Sequence, residues 1–182
     1  MERNIPYMTH HLIRKIPLLG LFCLLFILGS CLDDKTQNES NKIVPGKRVL
    51  DFKSYKKVSL ALPSGKLVTA FLAKGPQEQT QGLSGVKPEE LSDNEGMLFW
   101  YPQNGPRSFW MPNTFINLDI IFLNESFQVL YVAKNVLAHP GMEEPPMIAR
   151  TPSILARHVL ELKSSSPLTD EVKKGTTLKL IE

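Results

Sequence analysis

Leu118-Asp119-Ile120-Ile121-Phe122-Leu123, then Asn124-Glu125-Ser126, then Gln128 to Asn135 (QVLYVAKN): this stretch decides the fold. A short apolar run bounded by turn residues and followed by a second run rich in Val, Leu and Tyr predicts a β-hairpin. The first run is apolar on both sides of Asp119. A carboxylate there is costly unless it is paired or hydrogen-bonded. Asp119 is therefore read first as a clamp, accepting backbone N–H or Thr114 hydroxyl bonds from the Pro112-Asn113-Thr114 turn. A functional acid or base and a simply exposed carboxylate are the alternatives.

The pattern extends outward from this hairpin. Val58, Leu60 and Leu62 alternate with smaller or polar residues, Pro63-Ser64-Gly65-Lys66 marks a turn, and Leu67 to Leu72 resumes an apolar strand. Gly75-Pro76 opens a short helix to about Gln81, with Pro76 at a tolerated first-turn position. Pro88 to Leu91 reads as a single turn. Met97 to Tyr101 and Arg107 to Met111 read as strands separated by a loop at Pro102–Pro106. Leu137 to Arg150 is rich in proline and reads as a long surface loop. Arg157 to Lys163 is a strand, Pro167 to Lys174 a short helix, and Thr176 to Ile181 a closing strand. About eight short strands with one or two short helices predict a mainly β chain, a compact β-sandwich or small barrel rather than a βαβ sheet.

Composition agrees with one such domain. The chain has 182 residues, 42% of them hydrophobic, with 14 Pro and 11 Gly, which is ordinary globular usage. A formal charge of +3 is too small to point to nucleic acid, and no nucleic-acid partner is expected. Two cysteines exclude a disulfide-dense scaffold or a Cys-rich zinc module.

The first thirty residues read as an address. Arg3, Arg14 and Lys15 precede the apolar run Ile16–Leu28, which is shorter than the ~20 residues needed to span a bilayer. Basic flank, short apolar run and small residues make a secretory leader. The run ends Leu28-Gly29-Ser30-Cys31, which resembles a bacterial lipobox. The resemblance implies thioether diacylation of Cys31, cleavage before it, and acylation (commonly palmitate) of the new amino group. Ordinary signal cleavage and an uncleaved short anchor are the alternatives. Residues 1–30 are thus expected to be the lipoprotein signal peptide, 31–50 the lipidated Cys31 with a flexible tether, and 51–182 a single β-rich domain. Several acyl chains suffice for stable anchoring. Leu32, rather than the Asp of inner-membrane retention, follows Cys31, so a periplasm-facing outer-membrane location in the bacterial cell envelope is expected.

Blocks in the domain resemble the widespread bacterial and archaeal domain of unknown function number 192. They are Gly82-Leu83, Gly96-Met97-Leu98-Phe99, Phe109-Trp110-Met111, Asn113-Thr114, Leu118-Asp119-Ile120-Ile121-Phe122 and Val159-Leu160-Glu161-Leu162, in order, within about Val58 to Ile181. The resemblance implies a compact β-sandwich or barrel without a settled activity. This chain departs from the pattern at Ser84, at Gln79 and Gln81 (where arginines are usual), at Pro112 and at Asn117. If those arginines hold an anion, this chain has lost or moved that site.

Candidate site residues follow from chemistry. Arg107 beside Phe109-Trp110 could stack and hold a carboxylate, phosphate or sugar-like group. Trp100, Tyr101, Phe109 and Trp110 supply either a stacking platform or core area. Asn113 is a turn former or ligand contact. His139 with Glu143 and Glu144 matches no firm metal motif, and a solvated loop is the better reading. His158 shares a strand face with Leu160 and Leu162, while Arg157, Val159 and Glu161 share the other. The binding candidates are therefore Arg107, Trp110, Asn113, Thr114, Asp119 and His158. No cofactor and no metal are expected. The leading function is a lipid-anchored module binding a polar ligand, envelope glycan or partner protein. A hydrolase using Asp119, His158 and Arg107, or a structural envelope accessory, are the alternatives.

Replacing Cys31 by Ser removes the only thiol the lipobox presents. We expect the Cys31→Ser chain to leave the membrane fraction and to carry no acyl mass by mass spectrometry. Acyl chains on that variant would reject the lipobox reading.

Overall fold

The computed structural model describes residues 48–181. The expected signal peptide, the lipidated Cys31 and most of the tether lie outside the described residues. Chain order is β1 (Lys57–Ala61), β2 (Leu67–Ala73), α1 (Pro76–Gln81), β3 (Glu95–Arg107), β4 (Leu118–Leu123), β5 (Val129–Val136), β6 (Ile154–Lys163) and β7 (Lys179–Ile181). Short 3-10 turns occupy Phe52–Ser54, Pro88–Glu90 and Pro167–Glu171. The chain is mainly β, as its patterning predicts, and its seven strands form one sheet in the order β5-β4-β6-β3-β2-β1-β7.

The sheet is not a closed barrel. It curls until its two edges are bridged by the segment leading into β7. There the Val129 N–H donates to the Thr176 carbonyl (2.8 Å), the Gly175 N–H to Val129 (2.8 Å) and the Leu178 N–H to Phe127 (3.0 Å). These bonds join the edges without continuing the strand ladder.

Seven strands rather than about eight form because the region around Pro102–Pro106 does not break the chain into two. β3 runs through it, pairing Trp100 with His158 and then Gly105 with Ala156, so that the intervening residues bulge outward. Phe109–Met111 is no separate strand; Trp110 makes a lone bridge to Arg150. The pairing of β2 with β3 is parallel, with Thr69 opposite Glu95 and Ala73 opposite Phe99. One crossover containing α1 therefore sits in a sheet otherwise expected to lack βαβ connections, and residues 74–94 are long enough to make it.

The sheet buries side chains on both faces. One face gathers Phe71, Met97, Phe99, Leu118, Ile120, Phe122 and Val159 under Phe52, Leu83, Val86, Met111 and Ile148. The other gathers Leu60, Val68, Leu98, Ile121, Leu160 and Leu162 under Phe127, Leu168, Val172 and Leu178. β4 is buried at every position, which explains its unbroken apolar run.

Gly96 makes the central pairing possible. A Cβ there would collide with the Glu161 carbonyl and sit 2.5 Å from Leu162 Cδ2. Only glycine lets β3 approach β6 this closely.

Asp119 does act as a clamp, but on different partners from those expected. Its Oδ1 accepts the Asn135 N–H (2.8 Å) and its Oδ2 pairs with Lys134 Nζ (2.8 Å). The β4–β5 register slips between Leu118 and Ile120, and Asn135 has φ 47°. Asp119 thus satisfies the extra backbone group that this bulge leaves without a ladder partner. The Thr114 hydroxyl instead donates to the Pro112 carbonyl (3.1 Å).

Stability is expected to respond differently at three positions. Asp119→Ala leaves the part-buried Asn135 N–H without its acceptor and is expected to cost about 1–3 kcal/mol in urea unfolding. Lys134→Ala is expected to cost under about 1 kcal/mol, since the Lys134 side chain is 50% exposed against 3% for Asp119. Gly96→Ala should destabilise by at least about 1–3 kcal/mol, as overpacking against main chain does. Equal midpoints for wild type and Gly96→Ala would reject the close-approach argument.

Candidate functional site

Glu161 lies near the C-terminal end of β6, opposite Met97 of β3 and Ile120 of β4, both fully buried. Its side chain leaves the sheet on the face covered by α1 and the loops. Oε2 is buried and has no hydrogen-bond partner. Burial pushes the carboxyl up to about 8. A carboxyl in that state is mostly protonated at neutral pH.

A cleft of about 330 Å³ opens over this group. Phe99, Tyr101, Phe109 and Trp110 supply aromatic walls, and residues 79–84 of α1 and its C-terminus form one side. Gly82 ends the helix with φ 49°, where a side chain is strained. A Cβ there would meet Phe99 Cζ at 3.0 Å and lie 3.9 Å from Glu161 Oε2. The glycine keeps the helix end close above the carboxyl without filling the cleft.

Backbone bonds between distant segments hold the rim. The Asn113 N–H donates to the Gly141 carbonyl (2.7 Å), the Thr114 N–H to His139 (2.9 Å) and the Gly85 N–H to Asn113 (2.7 Å). Asn113 has φ 52°, and its Nδ2 donates to Ser84 Oγ (3.1 Å). The Phe109 N–H donates to Thr151 Oγ1 (2.9 Å). The segment from Leu137 to Arg150, read from sequence as a solvated loop, is thus docked against the rim. His139 is buried, with Nε2 3.1 Å from the Glu143 carbonyl. Among the described residues no group of three or more His, Cys, Asp or Glu side chains could hold a metal ion.

The six sequence-derived candidates separate into three places. Trp110 and Thr114 line the cleft. Trp110 is 51% exposed and faces the Arg150 guanidinium at 5.0 Å. Asn113 and Arg107 stand one contact behind it: Asn113 through Ser84, and Arg107 through Tyr101, over whose ring its guanidinium lies at 3.6 Å. Arg107 Nη2 also donates to the Gln103 carbonyl (2.9 Å). Asp119 and His158 are elsewhere. Asp119 is held by Asn135 and Lys134. His158 is on the opposite sheet face, between Trp100 (4.3 Å) and Phe127 (5.1 Å, stacked). Burial, followed by the charges of Arg157 and Arg107, lowers its imidazole to about 4.

Gln79 and Gln81 hold backbone rather than an anion. Gln79 Nε2 donates to the Trp100 carbonyl (2.9 Å), and Gln81 Oε1 accepts the N–H groups of Val49 (2.9 Å) and Leu50 (2.8 Å). Arg48 supplies a guanidinium nearby, but it donates to the carbonyls of Ser84 (2.6 Å) and Leu50 (3.1 Å).

The sequence profile of DUF192, described as an uncharacterized ACR, matches residues 60–180. The chain belongs to the DUF192 family. A solved structure from Sinorhizobium meliloti 1021, provisionally described as a transcription regulator, is 27% identical. The match covers 70% of this chain and 95% of that one, with a TM-score of 0.55. A protein of unknown function from Novosphingobium aromaticivorans DSM 12444 is 30% identical over 68% of this chain and 83% of that one, with a TM-score of 0.51. No curated protein matches the sequence.

Glu161 was not among the sequence candidates, although its signal was present. It alternates with Val159 in an apolar run, and the cost argument applied to Asp119 applies equally to it.

Glu161 and His158 tilt stability in opposite directions. The unfolded carboxyl titrates near 4.5 and the folded one near 8, so the folded state holds the extra proton between them. Stability is expected to fall as pH rises across that window. The unfolded imidazole takes up a proton below 6.5 and the folded one only near 4, so stability is expected to fall as pH drops across that range. Urea midpoints should therefore decline with rising pH between 6.5 and 8, where Glu161 dominates of the two, and Glu161→Gln should flatten that decline. An equal decline in the variant would reject the buried neutral carboxyl.

Proposed function

We propose that this chain is a lipid-anchored envelope protein, held at the outer membrane through Cys31, whose domain binds a small polar ligand in the cleft over Glu161. The observation that carries this reading is the buried carboxyl oxygen without a partner at the base of an aromatic-walled cleft. A polar group in that position is costly unless something hydrogen-bonds to it. A concave site with aromatic walls and one convergent polar group is the usual form of a small-molecule site. An envelope glycan end or a side chain of a partner protein would enter by the same mouth.

The geometry favours binding over catalysis. Among the described residues lining the cleft, Glu161 is the one acidic side chain, and none is a histidine. The described lining thus sets no second carboxyl and no histidine beside Glu161, the partners that hydrolytic acid–base chemistry most often uses. The trio Asp119, His158 and Arg107 does not support a hydrolase either. Asp119 pairs with Leu162, while His158 pairs with Leu123, four residues away along each strand and so on the order of 13 Å apart.

Ser108 is exposed at the mouth, where a large side chain can block the cleft without disturbing the core. Small sugars, amino acids, amines and carboxylates titrated into the full chain in detergent should include at least one that saturably changes tryptophan fluorescence. Ser108→Trp should abolish competition by that compound in ligand-observed NMR while leaving the unfolding midpoint unchanged. No response to any compound, or undiminished binding by the blocked variant, would overturn the binding reading.

A further inference from the structure

We propose that the ligand this cleft selects is a small primary ammonium ion, bound through its N–H groups to the Glu161 carboxylate with its alkyl part against the aromatic walls. This rests on the cleft being a binding site and names the chemistry it takes. The first ground is that none of the described residues lining the cleft supplies a counter-ion. The lining residues include no Lys, Arg or His. Three guanidinium groups stand near the cleft and each has other partners: Arg48 the carbonyls of Ser84 and Leu50, Arg107 the Tyr101 ring and the Gln103 carbonyl, and Arg150 the Trp110 ring and Glu144 (3.6 Å). An anionic or purely accepting ligand therefore finds no cation in the cleft.

The second ground is the unmet hydrogen bonding of the carboxyl. Oε2 makes no hydrogen bond; the neutral carboxyl can donate or accept, but once ionised its oxygens only accept. A group rich in N–H donors fits it better than a single hydroxyl does. The third ground is the wall. Phe99, Tyr101, Phe109 and Trp110 line it, aromatic rings attract cations, two of these rings already lie against guanidinium groups (Arg107 at Tyr101, Arg150 at Trp110), and Met111 and Met142 add polarizable sulfur. Carboxylate and aromatic rings together are the complement of an alkylammonium.

Binding would be an exchange: the ammonium arrives and the carboxyl proton leaves to solvent. The neighbours directly paired with Glu161, Met97 and Ile120, are apolar. Tyr101 is the titratable group facing it across the cleft, with Arg107 behind, and burial raises the Tyr101 phenol above its ordinary range. The pH response between 6 and 8 therefore belongs to Glu161.

The test uses three compounds on one carbon skeleton, butylammonium, butanol and butyrate, titrated into the full chain in detergent and followed by ligand-observed NMR. Butylammonium should bind at least tenfold tighter than either of the others at pH 8. Its affinity should rise about tenfold per pH unit from pH 6 to 7.5 and flatten above 8, as linkage to one proton requires. Glu161→Gln should abolish both the preference and the slope. The wild-type slope can be read without any variant, so a poorly folded Gln chain does not decide the matter. Butanol or butyrate binding as tightly as butylammonium, or an affinity independent of pH, would overturn the ammonium assignment. If a neutral compound then binds in a manner blocked by Ser108→Trp, the cleft reading stands and only the ligand class is wrong. If nothing binds, both fall.

Discussion

The pairing of β3 with β6 is the constraint on which the other parts depend. It joins the half of the sheet made by β7, β1 and β2 to the half made by β4 and β5, and it forms only because Gly96 presents no side chain to the Glu161 carbonyl. The same ladder sets which face each side chain takes. Met97, Phe99, Val159 and Glu161 go to the loop-covered face, and Leu98, Trp100, His158 and Leu160 to the other. A one-residue slip would exchange the two sets and move the carboxyl out of the cleft.

The strands were legible where a hydrophobic run and its turns agreed. The hairpin of β4 and β5, the hairpin of β1 and β2, and α1 with Pro76 at its first turn all lie close to where the sequence puts them. The misses have physical causes. The proline-containing stretch after Trp100 is a bulge inside one strand because residues 105–107 find β6 again, a non-local event that turn chemistry cannot report. The parallel pairing of β2 and β3 was hidden because α1 is brief and the rest of the crossover is irregular. The docking of His139 depends on main-chain partners at Pro112 and Thr114, which leave no mark on hydropathy.

The site was legible in part. Trp110 and Thr114 were found from the aromatic cluster and the turn, and both reach the cleft. Asp119 was rightly marked as a buried charge needing a partner, but that partner came from the next strand rather than the preceding turn. Glu161 carries the same pattern of an acid among apolar neighbours. What separates the two carboxylates is the neighbour each meets: Lys134 stands beside Asp119, and no cation stands beside Glu161. That difference belongs to the three-dimensional fold.

The outer strand β5 has a further consequence. Its first residues are bonded to the 175–178 segment, and its far end is kinked by the bulge that Asp119 secures, with Lys134 reaching to the Thr169 carbonyl (2.8 Å). A second copy thus meets no long straight row of free backbone groups on which to add a strand. Molecules crowded side by side on a surface could touch repeatedly without seeding a shared sheet, and the bulge that first reads as a defect in pairing becomes a safeguard against aggregation.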